Sequence, residues 1–364
     1  MVILWLFIGD SAMVKQVIID KGIPFLEGVF PPEIEVLYLS PEDITPEAVR
    51  YADALFVRTR TQINKELLHG SNVRFVATAT IGFDHIDQDY CREAGIHWVS
   101  CPGCNAQAVC DYVEEAIATY SAASYSPQSG RPIGGTPSYS SPCERPILGI
   151  IGYGHVGKLV AQMAERKGYK VLLSDPPLGI GLPLEQLAPL CDVLTFHTPL
   201  TREGEYPTYH LCDANILRLC KPGTLIINAA RGGVIDEQAL LSQLSYTNSA
   251  SDRSSKGEIR TLNSQLSTAI DCWENEPNIN QDLLKHVELA SFHIAGYSIQ
   301  GKMNASEMCL HAFCEFFSLP ILSINKKVVP LQGDSEPGWL KRISDQLKAQ
   351  PEHFEQLRKQ YKLR

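Results

Sequence analysis

The stretch Ile147-Leu148-Gly149-Ile150-Ile151-Gly152-Tyr153-Gly154-His155-Val156-Gly157, read with Asp175, constrains this chain more than any other feature. A short apolar run ends in Gly-x-Gly-x-x-Gly, a helix-like stretch (158–167) follows at once, and the apolar run Val171-Leu172-Leu173 then leads to an acid. Each part has a job in a dinucleotide-binding βαβ unit. Gly152 permits the tight turn out of the strand, Gly154 lets backbone approach a pyrophosphate, and Gly157 lets helix and strand pack closely. The free N–H groups at the helix start, around His155 and Val156, favour phosphate oxygens. Asp175 stands where an acid accepts hydrogen bonds from ribose hydroxyls. Two glycines alone mark many ordinary turns; strand, helix and acid in register make this one specific.

The 364 residues suffice for two domains, and 44% hydrophobic residues fit packed cores. A net charge of −9 argues against nucleic acid or an anionic membrane as the main partner. No apolar window reaches the length of a membrane-spanning helix. The apolar start lacks a basic leader and a cleavage site, so a signal peptide is not expected. Met13 precedes a strand-like run and reads as the working start, which makes residues 1–12 an extension. Eleven cysteines, an odd number scattered through strand-like and helix-like runs, indicate a reduced, cytoplasmic protein. Cys101-Pro102-Gly103-Cys104 has neither a second pair nor a histidine cluster, so it reads as a turn and no metal is expected.

Strand-like runs at 17–19, 35–39, 54–57, 73–78 and 96–99 alternate with helical stretches (46–51, 65–68), and a longer helix follows at 106–120. Residues 121–146, rich in Ser, Pro, Gly and Tyr, read as a loop. Strands at 147–151, 171–174, 193–197, 224–228, 268–272 and 288–291 then alternate with helices, the pattern of a parallel, doubly wound sheet. A second polar loop is expected at 246–266, and an apolar helix runs from Tyr297 to about Phe317. The tail 339–364 is locally basic in an acidic chain, which reads as a solvated face or a partner surface.

Three strand ends carry candidate chemistry. Asn228-Ala229-Ala230-Arg231-Gly232-Gly233 presents an arginine whose planar fork suits a carboxylate. Asp271-Cys272-Trp273-Glu274-Asn275-Glu276-Pro277 supplies acids just past a strand. Ser291-Phe292-His293-Ile294-Ala295-Gly296-Tyr297 supplies a histidine able to take a hydroxyl proton as hydride leaves, and a carboxylate behind it would fix its tautomer. Open α/β sheets bind ligands at such strand ends.

Together these motifs resemble the D-2-hydroxyacid dehydrogenase family over residues 14–317. The resemblance extends to Ala79-Thr80-Ile81-Gly82-Phe83-Asp84-His85-Ile86-Asp87 and to Phe196-His197-Thr198-Pro199-Leu200. Val57-Arg58-Thr59-Arg60-Thr61, Thr78-Ala79-Thr80, Cys101-Pro102-Gly103-Cys104-Asn105-Ala106, Asp175-Pro176-Pro177 and His293-Ile294-Ala295-Gly296-Tyr297 point to a branch acting on a phosphorylated 2-hydroxy acid. The resemblance implies an α/β chain with two Rossmann-like doubly wound parallel-sheet domains and a short C-terminal dimerisation appendage. Residues 13–104 and 294–320 would form the substrate domain, 105–293 the NAD-binding domain, and 321–364 the dimerisation segment. It further implies NAD as cofactor, Arg231 on the substrate carboxylate, His293 as acid/base and Glu276 as its partner. Thr59, Thr78 and Tyr297 would contact substrate, while Asp175, Thr198, Ala230, Asp271 and Gly296 join Gly152 to Gly157 around the cofactor. The substrate phosphate needs charge-assisted donors, and the candidates are Arg58, Arg60 and the basic tail of a homodimer. Two alternatives stand beside this reading. One is another D-2-hydroxyacid dehydrogenase, of phosphoglycerate or hydroxypyruvate type; the other is an NAD-responsive, corepressor-like binding protein.

Overall fold

A computed structural model describes residues 14–123, 145–248, 266–324 and 336–363. The expected extension 1–12 and most of the expected loops 121–146 and 246–266 lie outside the described residues; helices reach into the first three positions of each loop. The chain divides into two compact units, Met1–Asn105 with Ser298–Leu331, and Ala106–Tyr297 with Gln332–Arg364.

Unit 1 is a parallel sheet of β1 (Gln16–Asp20), β2 (Glu35–Leu39), β3 (Ala54–Val57), β4 (Phe75–Thr78) and β5 (His97–Val99), in the order β2-β1-β3-β4-β5. All four residues of β3 and of β4 are buried, as expected for central strands covered on both faces. One face packs Val17, Ile19, Phe56 and Phe75 against Phe313 of the helix Ile299–Phe316. The other packs Ile18, Leu55 and Val76 against Leu67 and Cys91. Short polar side chains start these helices: Asn64 accepts the Leu67 N–H at 3.0 Å, Asp87 the Tyr90 N–H at 2.9 Å and Ser298 the Gly301 N–H at 2.9 Å.

Unit 2 orders its strands β12-β11-β10-β9-β6-β7-β8: β6 (Ile147–Ile151), β7 (Lys170–Asp175), β8 (Ile180–Gly181), β9 (Val193–Phe196), β10 (Leu225–Asn228), β11 (Ser267–Ile270) and β12 (Leu289–Ala290). The expectation of a wholly parallel sheet is corrected at one edge, where β8 pairs antiparallel with β7. Pro176 and Pro177 start a tight turn, left-handed Gly179 (φ 65°) closes it, and the chain folds straight back. The winding reverses at β6, which has β7 on one side and β9 on the other.

The C-terminal residues that the sequence places in a separate segment cluster with unit 2. The helix Trp339–Ala349 covers the β12 edge: the Ala290 N–H donates to Ser344 Oγ at 3.0 Å, and Leu340 and Leu347 are fully buried. The Trp339 ring meets Tyr112 edge-on at 5.9 Å, and Phe354 and Leu357 extend the same core. Much of the positive charge is engaged locally. Lys341 pairs with Asp345, Lys348 donates to the carbonyls of Val287 and Glu288, and Lys359 lies 3.7 Å from Glu355. Among the described residues no helix is long and apolar enough to cross a membrane.

Candidate active site

The glycine turn sits at the switch point of unit 2, at the carboxyl end of β6. Gly152 is left-handed (φ 93°), and a Cβ there would lie 2.7 Å from the His197 carbonyl oxygen. Gly157 lies against the strand so closely that a Cβ would come 2.1 Å from Gly152 O. Around Gly154 the space is open within 4 Å, and the helix His155–Arg166 starts there with no side-chain cap. Its first N–H groups are available to an anion. Asp175 ends β7 and accepts the Tyr153 N–H at 2.7 Å, tying the acid to the glycine turn while leaving lone pairs for two hydroxyls. Thr198 lies beside Gly152, and its Oγ1 is buried without a partner among the described residues. An open helix start, a positioned acid and an orphaned hydroxyl fit a dinucleotide. His197, next to Thr198, has its proton affinity driven down to about 3 by burial, so it stays neutral.

The catalytic candidates meet on two interlocked turns. Asn228, at the end of β10, donates from Nδ2 to Arg231 O (3.0 Å) and Cys272 O (3.2 Å) and accepts the Ala230 N–H at 3.2 Å. Gly232 allows this closeness, since a Cβ there would sit 1.9 Å from Trp273 O. Arg231 donates from Nη1 to Ala230 O at 2.8 Å, and its half-buried side chain makes no salt bridge with a carboxylate among the described residues. Glu276 accepts the Trp273 N–H at 2.9 Å through one oxygen and pairs with His293 Nδ1 at 2.8 Å through the other. This fixes the tautomer that leaves Nε2 for chemistry. Glu276 and His293 side chains are 19% and 29% exposed, so the pair is partly desolvated yet reachable.

His293 holds a left-handed backbone (φ 58°), an unfavourable state for a non-glycine residue. Asp271 over-determines it. That carboxylate is 1% exposed and accepts from Ser291 Oγ (2.7 Å), Ile294 N (2.8 Å) and Ala295 N (2.9 Å), while Asp271 O accepts the His293 N–H at 2.9 Å. The structure thus places Asp271 as the anchor of the His293 loop. Gly296 follows, half-buried, and Tyr297 accepts the Arg358 Nε–H at 3.0 Å with the guanidinium 5.6 Å above its ring. Arg358 is the tail cation that the fold brings to this site. Cys272, Glu276 and His293 offer ligand atoms within 4.8 Å of one another. Burial and the adjacent Asp271 push the thiol well above its usual range, and His293 Nδ1 is already engaged by Glu276. The pairing leaves His293 Nε2 as the nitrogen not engaged by Glu276.

In unit 1, Thr59 is exposed after β3. Thr78 is buried, its Oγ1 bonded to Thr80 Oγ1 (2.7 Å) and His85 Nε2 (3.0 Å), which explains the histidine of the 79–87 motif. Cys101 lies 3.4 Å from Cys309 Sγ, and all ten described cysteines are buried and free. The C-x-x-C is a turn.

One cluster was not legible in the sequence. Glu237 accepts the Glu274 N–H at 2.7 Å, the Glu237 N–H approaches Glu274 Oε1 at 3.4 Å, and His210 Nε2 meets that same oxygen at 2.9 Å. Burial, together with the nearby charges of Glu274 and Glu276, pushes the Glu237 carboxyl up to about 7. The residues come from three separate segments and share no spacing; the acids flanking Glu276 were the only signal.

Residues 12–322 match the D-isomer specific 2-hydroxyacid dehydrogenase family, catalytic domain, and the chain belongs to that family. Among individual proteins it is 40% identical over 370 residues to an erythronate-4-phosphate dehydrogenase of Bacteroides thetaiotaomicron, covering 96% of each chain. It is 34% identical to an erythronate-4-phosphate dehydrogenase of Cronobacter sakazakii, covering 96% of this chain and 91% of the relative. By fold it resembles the NAD⁺-bound 3-phosphoglycerate dehydrogenase of Entamoeba histolytica, with TM-score 0.64, 22% identity, 87% of this chain and 100% of the other.

Proposed function

We propose that this protein oxidises 4-phospho-D-erythronate at C2 to (R)-3-hydroxy-2-oxo-4-phosphooxybutanoate with NAD, in pyridoxal 5'-phosphate biosynthesis. The observation that carries the chemistry is the His293–Glu276 pair at 2.8 Å, set one turn from Arg231 by the Asn228 clamp. The full-length relatives, named for erythronate 4-phosphate, support the substrate.

His293 Nε2 takes the proton of the C2 hydroxyl while the C2 hydrogen leaves with its electron pair, so the alcohol carbon becomes a ketone. Glu276 holds the ring and stabilises the imidazolium that forms. Arg231 binds the substrate carboxylate through paired N–H donors and fixes which hydrogen is presented. NAD supplies the hydride acceptor; Gly152 to Gly157, Asp175, Thr198, Ala230 and Gly296 are the residues assigned to hold it. Asp271 positions the His293 loop, and Thr59, Thr78 and Tyr297 are assigned to substrate. The proposal includes a cytoplasmic homodimer.

The test is NAD reduction, followed at equal concentrations of 4-phospho-D-erythronate, 3-phosphoglycerate and D-glycerate, with sedimentation for the dimer. A clear preference in kcat/KM for 4-phospho-D-erythronate is expected. Preference for 3-phosphoglycerate would reassign the substrate, and NAD binding without turnover on any of the three would favour a binding protein.

A further inference from the structure

We infer that Lys302, with Arg58 and the adjacent Thr59, forms a subsite in unit 1 for a phosphate monoester, and that Lys302 is the residue that selects it. This rests on the phosphorylated substrate proposed above.

The sheet order β2-β1-β3-β4-β5 reverses its winding between β1 and β3, and ligands of open α/β sheets bind at the carboxyl ends of the strands that flank such a reversal. Asp20 ends β1, and Arg58 directly follows β3. The Asp20 carboxylate is fully buried and grips Arg58 through both oxygens, at 2.8 Å to Nε and 2.9 Å to Nη2. It also accepts the Gly22 N–H at 2.8 Å. The guanidinium fills the space beside Gly22, where a Cβ would lie 2.0 Å from Arg58 Nη2. The guanidinium is thereby fixed at the switch point with Nη1 uncommitted.

Lys302 joins it from the helix Ile299–Phe316. One turn further along the same helix face, Ser306 donates to Pro24 O at 2.7 Å, which seats that face over the loop that follows Asp20. The Lys302 ammonium is half-buried and makes no hydrogen bond or ion pair among the described residues. Burial and the Arg58 charge both depress its proton affinity. Lys302 therefore adds a second cation beside Arg58, and the buried acid there, Asp20, is spent on Arg58. A half-buried like-charge pair with a net positive excess is relieved by an anion. A dianionic phosphate monoester matches two cations and a hydroxyl better than a carboxylate does.

Two other cations are engaged elsewhere. Arg60 pairs with Glu42 at 2.8 Å on the surface, with 63% of its side chain exposed. Arg358 holds Tyr297. Lys302 is also the only Lys or Arg between Lys285 and Lys326.

The test compares Lys302→Met, Lys302→Arg and Arg60→Gln in the full-length protein. The readouts are kcat/KM for 4-phospho-D-erythronate against D-erythronate, and calorimetric binding of inorganic phosphate. Lys302→Met is expected to lower the preference for the phosphorylated substrate roughly 10- to 100-fold, the loss of one charge-assisted contact, and to abolish phosphate binding. Lys302→Arg retains most of both, and Arg60→Gln moves neither. An unchanged preference and unchanged phosphate binding in a folded Lys302→Met protein would overturn the subsite while leaving the activity intact. If the wild type does not oxidise 4-phospho-D-erythronate but binds phosphate through Lys302, the activity fails and the subsite stands. Should Lys302→Met not fold, Lys302→Gln takes its place: a preference lowered as for the methionine variant supports the subsite, and an unchanged preference overturns it.

Discussion

Replacing Asp271 with asparagine tests how the histidine loop is built. The carboxylate receives three donors on two oxygens inside a site that is 1% exposed. An asparagine can keep its oxygen toward Ser291 and Ile294, but its NH2 then faces the Ala295 N–H, donor against donor. One charge-assisted bond is lost, about 1.5–3 kcal/mol, and the buried asparagine NH2 faces a donor instead of an acceptor, about 1–3 kcal/mol more. The sum is roughly 2.5–6 kcal/mol of unit 2 stability. The left-handed backbone of His293 then loses part of what holds it, and a displacement of about 1 Å costs on the order of 100-fold in rate. Thermal unfolding and NAD reduction measured on Asp271→Asn are expected to show both losses together, with KM for NAD little changed. Wild-type melting and kcat with a raised KM for NAD would refute the anchor and return Asp271 to the cofactor.

Gly157→Ala is expected to weaken NAD binding at least tenfold, since its Cβ would press on Gly152 O at 2.1 Å and only backbone movement can relieve it; calorimetry checks this. NADP is expected to support at most a tenth of the NAD rate, because Asp175 opposes a 2′-phosphate and Pro176-Pro177-Leu178 offers no cation; equal rates would contradict it. Glu237 holds its proton in the fold up to about 7 against 4.5 in the open chain. Its contribution is therefore complete below pH 4.5 and lost as pH rises through 7. Denaturant melts of Glu237→Gln against wild type are expected to differ in slope over that window by on the order of 3 kcal/mol, and parallel curves would refute the assignment.

Most of the fold was legible because its central strands are buried on both faces and read as apolar runs, such as Ala54-Leu55-Phe56-Val57. The glycine turn, Arg231, Glu276 and His293 were legible because each falls at a strand end. The edge strand β8 was not, being two residues long and set by a proline–glycine turn. Nor was the fate of the tail: its charges dominate the sequence, whereas the buried Trp339, Leu340 and Phe354 decide its packing. The Asp20–Arg58 grip spans 38 residues and the Glu237–Glu274 clamp 37, and no local periodicity reports pairings at that separation. Lys302 was not legible as a site residue, because a lone lysine on a helix carries no spacing signal.

The central claim is that the His293–Glu276 pair removes the hydroxyl proton of a phosphorylated 2-hydroxy acid while NAD accepts the hydride. Its most direct test is single-turnover NAD reduction by wild type and His293→Ala with saturating 4-phospho-D-erythronate. The wild type is expected to form NADH, and His293→Ala to do so roughly 10²- to 10⁴-fold more slowly with NAD binding retained. NADH formation by His293→Ala at the wild-type rate would contradict the account.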